Sequence, residues 1–256
     1  MIDIHCHLLP GIDDGPTSLE QSLALARACV DDGITHVVAT PHVFPGRFEN
    51  RSSSIEEDFD RFSAVLRNAG IPLGLSWAGE VRLTPEVLEL LALLELPFVG
   101  QVAGYQAMLL EMPDGQIPLG SGRFVNHLLR AKVKPIIVHP ERNRAVMEKP
   151  ERLRQFIEMG CYVQVTAGSL VGQFGAKAQA TAQTLLDQAW VHAVASDAHN
   201  LVARRPRMGD AAAWLGKHYG ATTARQLTLL GPAGLVGQSQ IERARQAGAV
   251  AAGPGV

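Results

Sequence analysis

A chain of 256 residues, 46% hydrophobic and 19% charged, is long enough for one large domain with a real core and too apolar to be disordered. Its net charge of −2, with Lys and Arg scattered along the chain, gives no footprint for nucleic acid or an anionic membrane surface. No charged leader precedes an apolar stretch, no run approaches the roughly 18 apolar residues of a membrane span, and three cysteines without CxxC spacing argue against a disulfide framework. The expectation is a cytoplasmic protein without membrane insertion.

The opening stretch MIDIHCHLLPGIDDGP places a strand over residues 2–7. Side chains alternate faces along a strand, so His5 and His7 point one way and Cys6 the other, and the two imidazoles can clasp one ion. Asp13 and Asp14 follow in a glycine-flanked turn, where aspartate is common for backbone reasons alone; at least one of them can still reach the cluster. SLEQSLALARACVDDG then shows an acidic first turn, helical apolar spacing and a glycine stop, predicting a helix over 18–33. A strand over 35–42 ends in His42, and RSSSIEEDFDRFSAVLRNAG predicts a helix over 51–70.

The pattern continues. A strand over 73–81 carries Glu80, TPEVLELLALLEL reads as a helix over 84–96, and a strand over 107–112 carries Glu111. Strands over 135–139, 161–166 and 192–197 follow; the first ends on His139, and the last ends on Asp197 with His199 two residues further on. His36, His127, His192 and His218 have no such context and read as structural or surface residues. From Gly231 the Gly/Pro-rich composition suggests a tail over 231–256, with IERARQAGA as a short helix in it, after a folded domain over 1–230.

Seven alternations of strand and helix predict parallel strands covered by helices. The polar residues choose between an open sheet and a barrel. An open sheet gathers ligands from two or three strands at its switch point, whereas a barrel brings every C-terminal strand end to one face. Here six strands end in a potential ligand, which favours a barrel, with seven strands rather than the usual eight. Taken singly, each residue has an ordinary reading: exposed histidines, a turn residue at His42, a core histidine at His139. Buried carboxylates such as Glu80 and Glu111 are hard to explain without a partner.

The motifs HCHLLPGIDDGP, ATPH, GEV, LLEMP, VHPER and SDAHN together resemble the PHP (polymerase and histidinol phosphatase) superfamily. GIDDGP directly after His-x-His, TAGSLVGQFG, and an Arg-Pro shortly after SDAHN are similar to the PHP-type bacterial protein-tyrosine phosphatases of capsule and exopolysaccharide operons. The resemblance implies a single-domain α/β fold, a distorted (β/α)7 TIM-like barrel. It also implies three divalent metal ions: the first held by His5, His7, Glu80 and Asp197, the second by bridging Glu80 with Glu111 and His139, the third by Asp14, His42 and His199. It further implies phosphate-binding arginines, Arg142 from VHPER and Arg205 from RRPRM, with Arg204 and Arg207 as close competitors. The chain departs from the family in the loop after TPH, which often carries a second histidine and a tyrosine but here reads VFPGRFENRSSS, with Val43 and Phe48.

A His/carboxylate set without thiolate suits manganese, iron and zinc, and ligand type does not choose among them; manganese is the first expectation, with iron, zinc or magnesium as alternatives. Such ions supply hydroxide at neutral pH and clamp phosphoryl oxygens, and arginine recognises phosphate bidentately. Hydrolysis of phosphotyrosine by a metal-bridging hydroxide is the expected reaction. A phenolate leaving group with a pKa of about 10 asks little of a general acid; His199 or a bound water would serve if one is needed. A cysteinyl-phosphate mechanism needs Arg six residues after Cys, but Ile12, Thr35 and Ala167 stand there. The resemblance also implies a substrate, the tyrosine-rich tail of a membrane-associated autokinase. The rival readings are a small-molecule PHP phosphatase acting on a substrate such as histidinol phosphate, a non-catalytic PHP module, and a barrel with one adventitious zinc.

Overall fold

The computed structural model describes residues 1–237 and residue 241. Among the described residues there are ten strands: β1 (Ile2–Cys6), β2 (His36–Ala39), β3 (His42–Val43), β4 (Gly74–Trp77), β5 (Glu80–Arg82), β6 (Gly100–Val102), β7 (Tyr105–Glu111), β8 (Val133–Val138), β9 (Tyr162–Thr166) and β10 (Ala193–Ala195). Two of the seven expected strands are each broken in two. Pro41, which has no N–H to give a ladder, separates β2 from β3, and Ala78-Gly79 separates β4 from β5. All pairings along the seven positions are parallel. The chain closes on itself through a parallel bridge between Cys6 and Ala198. The result is the distorted seven-stranded barrel expected. Its distortion has a visible cause: β5 pairs with the upper part of β7, while β6, absent from the sequence reading, pairs antiparallel with the lower part.

Helices α1 (Leu19–Asp31) and α2 (Ser52–Asn68) fall within their expected spans, and Ser18 caps α1 by accepting from the Gln21 N–H. α3 (Val87–Ala92) is shorter than the pattern suggested, because Leu93 and Leu94 leave the core for solvent and Leu94 turns left-handed. α4 (Ser121–Arg130), α5 (Arg144–Glu148), α6 (Arg154–Glu158), α7 (Ala167–Leu170), α8 (Ala176–Asp187), α9 (Met208–Tyr219) and α10 (Ala221–Arg225) complete the outer layer. Ile2, Ile4, Val38, Leu109, Ile136, Val138 and Ala195 fill the barrel, while Val37, Met108, Leu110, Ile137, Val163 and Val165 face the helices.

β1 departs from simple alternation. Ile2 and Ile4 lie inside the barrel, whereas Cys6 and Leu8 lie on the helix side. An interruption of register against β2, between Asp3 and Cys6, makes this swap, as a bulge does when it re-aims a strand. The buried Asp3 carboxylate ties the irregular stretch to the far end of the barrel. It accepts from the His5 N–H (3.2 Å), the Ser196 N–H (2.9 Å) and the Ser196 hydroxyl (2.5 Å). Burial pushes the Asp3 pKa up to about 6 against those bonds.

The packed fold runs past the expected end of the domain at residue 230. Gly231–Val236 form a further helix, α11, with Leu235, Val236 and then Ile241 in the barrel-interior cluster. Gly231, one of the glycines that suggested a tail, serves close approach instead, because a Cβ there would meet the His192 carbonyl; from the other side, a Cβ on Gly100 would meet the carbonyls of Leu235 and Val236. α11 therefore stoppers the lower mouth of the barrel. The rest of the expected short helix after Ile241 lies outside the described residues. Leu235→Ala is expected to cost about 2–5 kcal/mol of stability, read as a lowered denaturation midpoint; an unchanged midpoint would contradict the stopper role.

Candidate metal centre

The expected ligands meet at the upper mouth of the barrel. His5 Nε2, His7 Nε2, Glu80 Oε2 and Asp197 Oδ1 form one compact group. Five edges of this four-atom figure are 3.3 or 3.4 Å: His5–Glu80 and His7–Glu80 at 3.3 Å, His5–Asp197, His7–Asp197 and His5–His7 at 3.4 Å. These spacings are long for charge-assisted hydrogen bonds, which run about 2.7–2.9 Å. A regular tetrahedron with such edges has its centre about 2.1 Å from each corner, the bond length of a first-row divalent ion to imidazole or carboxylate. Glu80 Oε2 and Asp197 Oδ1 are also fully buried without a sound hydrogen bond, which a carboxylate tolerates poorly. The donor set fits a metal ion.

Two further groups adjoin it. His42 Nε2 and His199 Nε2 each lie 3.2 Å from Asp14 Oδ1, and His7 stands close enough to join them. His42, Glu80 and Glu111 form the third group, with His139 Nε2 2.5 Å from Glu80 Oε1. Every expected ligand is thus in the cluster, and His7, His42 and Glu80 are each shared between neighbouring groups. His139 (φ 36°) and Asp197 (φ 52°) are both left-handed at the ends of their strands, a costly conformation for residues with a Cβ and a recurrent one at functional sites.

Residues beneath the ligands orient them. Gln164 Oε1 accepts from His5 Nδ1 (2.9 Å) and Asp13 Oδ2 from His7 Nδ1 (2.6 Å). Each bond leaves the Nε2 lone pair facing the cluster, the arrangement that fixes tautomer and raises ligand basicity. Asp13 also accepts from the N–H groups of Gly15 and His42, holding the GIDDGP turn against the next strand. Gln164 was not anticipated, although a lone polar residue inside the apolar strand YVQVT was a signal. Gln164→Leu is expected to weaken metal binding about 10–100-fold with the fold intact; calorimetric titration showing unaltered affinity would remove it from this role.

The crowded charges shift one another's ionisation. Burial lowers the His42 pKa, but Glu80 and Asp14 outweigh it and raise it to about 9. Burial and then Glu80 push Glu111 up to about 7. Burial and Arg142 hold His139 near 4, and burial and His7 do the same for His199, so both imidazoles are neutral at pH 7. Burial opposes ionisation of Asp197, but Arg142, His5 and Arg204 keep its pKa well below the usual range.

Arg142 Nη2 reaches Asp197 Oδ2 at 2.7 Å, as its position three residues past His139 suggested. Arg205 does not reach the cluster. It is exposed, near Asp32, and Arg204 takes the expected place, with Nη2 2.5 Å from Asp197 Oδ2 and Nη1 2.9 Å from His199 Nε2. The cause is a tight loop: Asn200 Oδ1 accepts from the N–H groups of Val202, Ala203 and Arg204, and the His199 N–H donates to the Arg204 carbonyl. Arg82, also unanticipated, points the same way as Glu80 two residues earlier and pairs with Glu111 (2.7 Å) and Asp114 (3.2 Å). Above the cluster opens a cavity of about 330 Å³, with Phe44, Phe48 and Phe174 on its walls.

Comparison with known proteins agrees with this geometry. The model for the family described as capsular polysaccharide synthesis, CpsB/CapC, matches residues 1–236. The chain is 36% identical over 228 residues to the tyrosine-protein phosphatase YwqE of Bacillus subtilis (strain 168), covering 89% of each. It is 32% identical over 237 residues to the tyrosine-protein phosphatase CpsB of Streptococcus pneumoniae, covering 91% of this chain and 96% of that one. A structure from work on YwqE and CpsB as unique metal-dependent tyrosine phosphatases aligns with a TM-score of 0.85 at 35% identity, over 92% of this chain and 94% of that one. A variant organophosphorus hydrolase from Deinococcus radiodurans, at 16% identity, TM-score 0.59 and 92% coverage of both chains, shares the fold alone. A family match that takes in every strand, every expected ligand and the stopper helix leaves no part of the barrel outside it: this chain belongs to the CpsB/CapC family of capsular polysaccharide synthesis.

Proposed function

We propose that this chain is a metal-dependent phosphatase that hydrolyses phosphotyrosine in proteins. The observation that carries the reading is the tetrahedral spacing of His5, His7, Glu80 and Asp197 with two guanidinium groups on the outer oxygen of Asp197. His5, His7, Glu80 and Asp197 would hold one ion, Glu80, Glu111 and His139 a second, and Asp14, His42 and His199 a third, with manganese first among the candidates. When bound, such ions supply a nucleophile from water at neutral pH and neutralise charge on the phosphoryl oxygens.

The chain's own residues do the rest. Arg142 and Arg204 turn their N–H donors to the non-bridging oxygens of the phosphate, with Asp197 as their common anchor. Burial and His7 lower the His199 pKa to about 4, which favours the neutral imidazole and a role as ligand over one as general acid. The phenolate of tyrosine, with a pKa of about 10, departs with little help from an acid. The substrate we infer is the tyrosine-rich tail of a membrane-associated autokinase, met from the cytoplasm; no helix among the described residues is long and apolar enough to cross a membrane.

The test is phosphate release from a phosphotyrosine peptide by metal-stripped protein with Mn²⁺ added back, beside histidinol phosphate as competitor substrate. Metal-restored release from the peptide is the expected result; faster turnover of histidinol phosphate would replace this reading. Thiol chemistry gives a second check. Cys6, Cys29 and Cys161 are free and buried, and burial pushes Cys161 up to about 12. Alkylation of the folded protein is expected to leave turnover unchanged, and thiol-sensitive turnover would sink the metal mechanism.

A further inference from the structure

The segment between His42 and α2 folds back on itself as a small hairpin. The Phe44 N–H donates to the Phe48 carbonyl (3.0 Å) and the Phe48 N–H to the Phe44 carbonyl (2.8 Å), with Gly46 left-handed at the tip. One end is fixed over the metal centre, because the Phe48 ring stacks on the ligand His42 with centroids 5.4 Å apart and planes 7° off parallel. Asn50 fixes the other by donating to the carbonyls of Ile12 and His42. The hairpin is therefore a fixed wall of the cavity.

Arg47 sits on this wall, exposed, with its guanidinium 5.0 Å above the Phe48 ring. Four arginines line the cavity. Arg142 and Arg204 pair with Asp197, and Arg82 pairs with Glu111 and Asp114. Arg47 has no carboxylate partner among the described residues. The nearest candidate in sequence, Glu49, turns its carboxylate to the Gly46 N–H (2.6 Å). The acidic groups at the rim are likewise engaged, Asp14 by His42 and His199 and Asp114 by Arg82. The cavity mouth thus carries one positive charge that no carboxylate among the described residues answers, held in place by an aromatic face.

We propose that Arg47 is the specificity-determining residue for the peptide around the phosphotyrosine and takes the carboxylate of a neighbouring Asp or Glu. This rests on the phosphatase reading above. An acidic neighbour meets a preorganised guanidinium, whereas a Lys or Arg neighbour meets like charge, which sets partner choice more than raw affinity.

The experiment compares kcat/KM for two phosphotyrosine peptides that differ only in acidic or basic residues beside the phosphotyrosine. It uses the metal-loaded wild type, Arg47→Lys and Arg47→Glu. The wild type and Arg47→Lys are expected to favour the acidic peptide about two- to fivefold, the range of an exposed ion pair. Arg47→Glu is expected to reverse the order, and 0.5 M salt to flatten all three. Equal turnover of both peptides by the wild type, or an unchanged order in Arg47→Glu, would overturn the assignment while leaving the phosphatase reading intact. Failure of the wild type to release phosphate from either peptide would instead bring down the phosphatase reading itself.

Discussion

Glu80→Gln is expected to lose at least about a hundredfold in phosphate release and to lose bound metal with it. Glu80 is the one carboxylate common to two of the three ligand groups. Its Oε2 stands 3.3 Å from both His5 and His7 and 2.9 Å from His42, and its Oε1 stands 2.5 Å from His139. Glutamine keeps the size but removes the charge and turns one acceptor into a donor, so two sites fail together. The fold has less to lose, because the ionised carboxylate is buried at a desolvation cost that the neutral amide avoids. Metal content by mass spectrometry and phosphate release, measured beside the denaturation midpoint, check this. A variant that holds its ions and turns over normally would show that the shared position carries no special weight.

The second large effect falls on the arginines. Arg142→Lys is expected to raise KM for a phosphotyrosine peptide about tenfold or more, and Arg204→Lys to do the same, because a point charge replaces a planar two-donor fork. Arg205→Ala is expected to change neither KM nor kcat, since that side chain is exposed and away from the cluster. Steady-state kinetics on the three variants separate the two candidate arginines. An effect at Arg205 larger than at Arg204 would mean the loop after Asp197 is arranged differently when substrate binds.

Strand geometry made much of this site legible. The two-residue repeat puts His5 and His7 on one face, and the convergence of strand ends at one mouth of a barrel brings Glu80, Glu111, His139 and Asp197 toward them, whereas the division into three ligand groups came from the family resemblance. The choice of Arg205 over Arg204 failed where that repeat stops: in residues 200–204 the direction of each side chain is set by three hydrogen bonds to Asn200, and no periodic pattern encodes those. The end of the fold was misplaced for a different reason. Glycine and proline in GPAGLV have the composition of a tail, but Gly231 is there because the His192 carbonyl leaves no room for a Cβ, a constraint set by a residue far away in sequence. Asp13 was left open between turn and cluster, and it is both: it caps the turn and steadies His7.

The closure of the barrel between β1 and Ala198 also sets when the site can exist during synthesis. His5 and His7 leave the ribosome early, but Asp197 arrives roughly 190 residues later, about 10–40 s at usual elongation rates. Until Asp3 finds Ser196 and Cys6 pairs with Ala198, the histidines lack the Asp197 carboxylate and the guanidinium groups of Arg142 and Arg204 that it anchors. No chain that stops short of Asp197 can complete the tetrahedral group of His5, His7, Glu80 and Asp197. The group is complete only when the last strand of the barrel reaches the first.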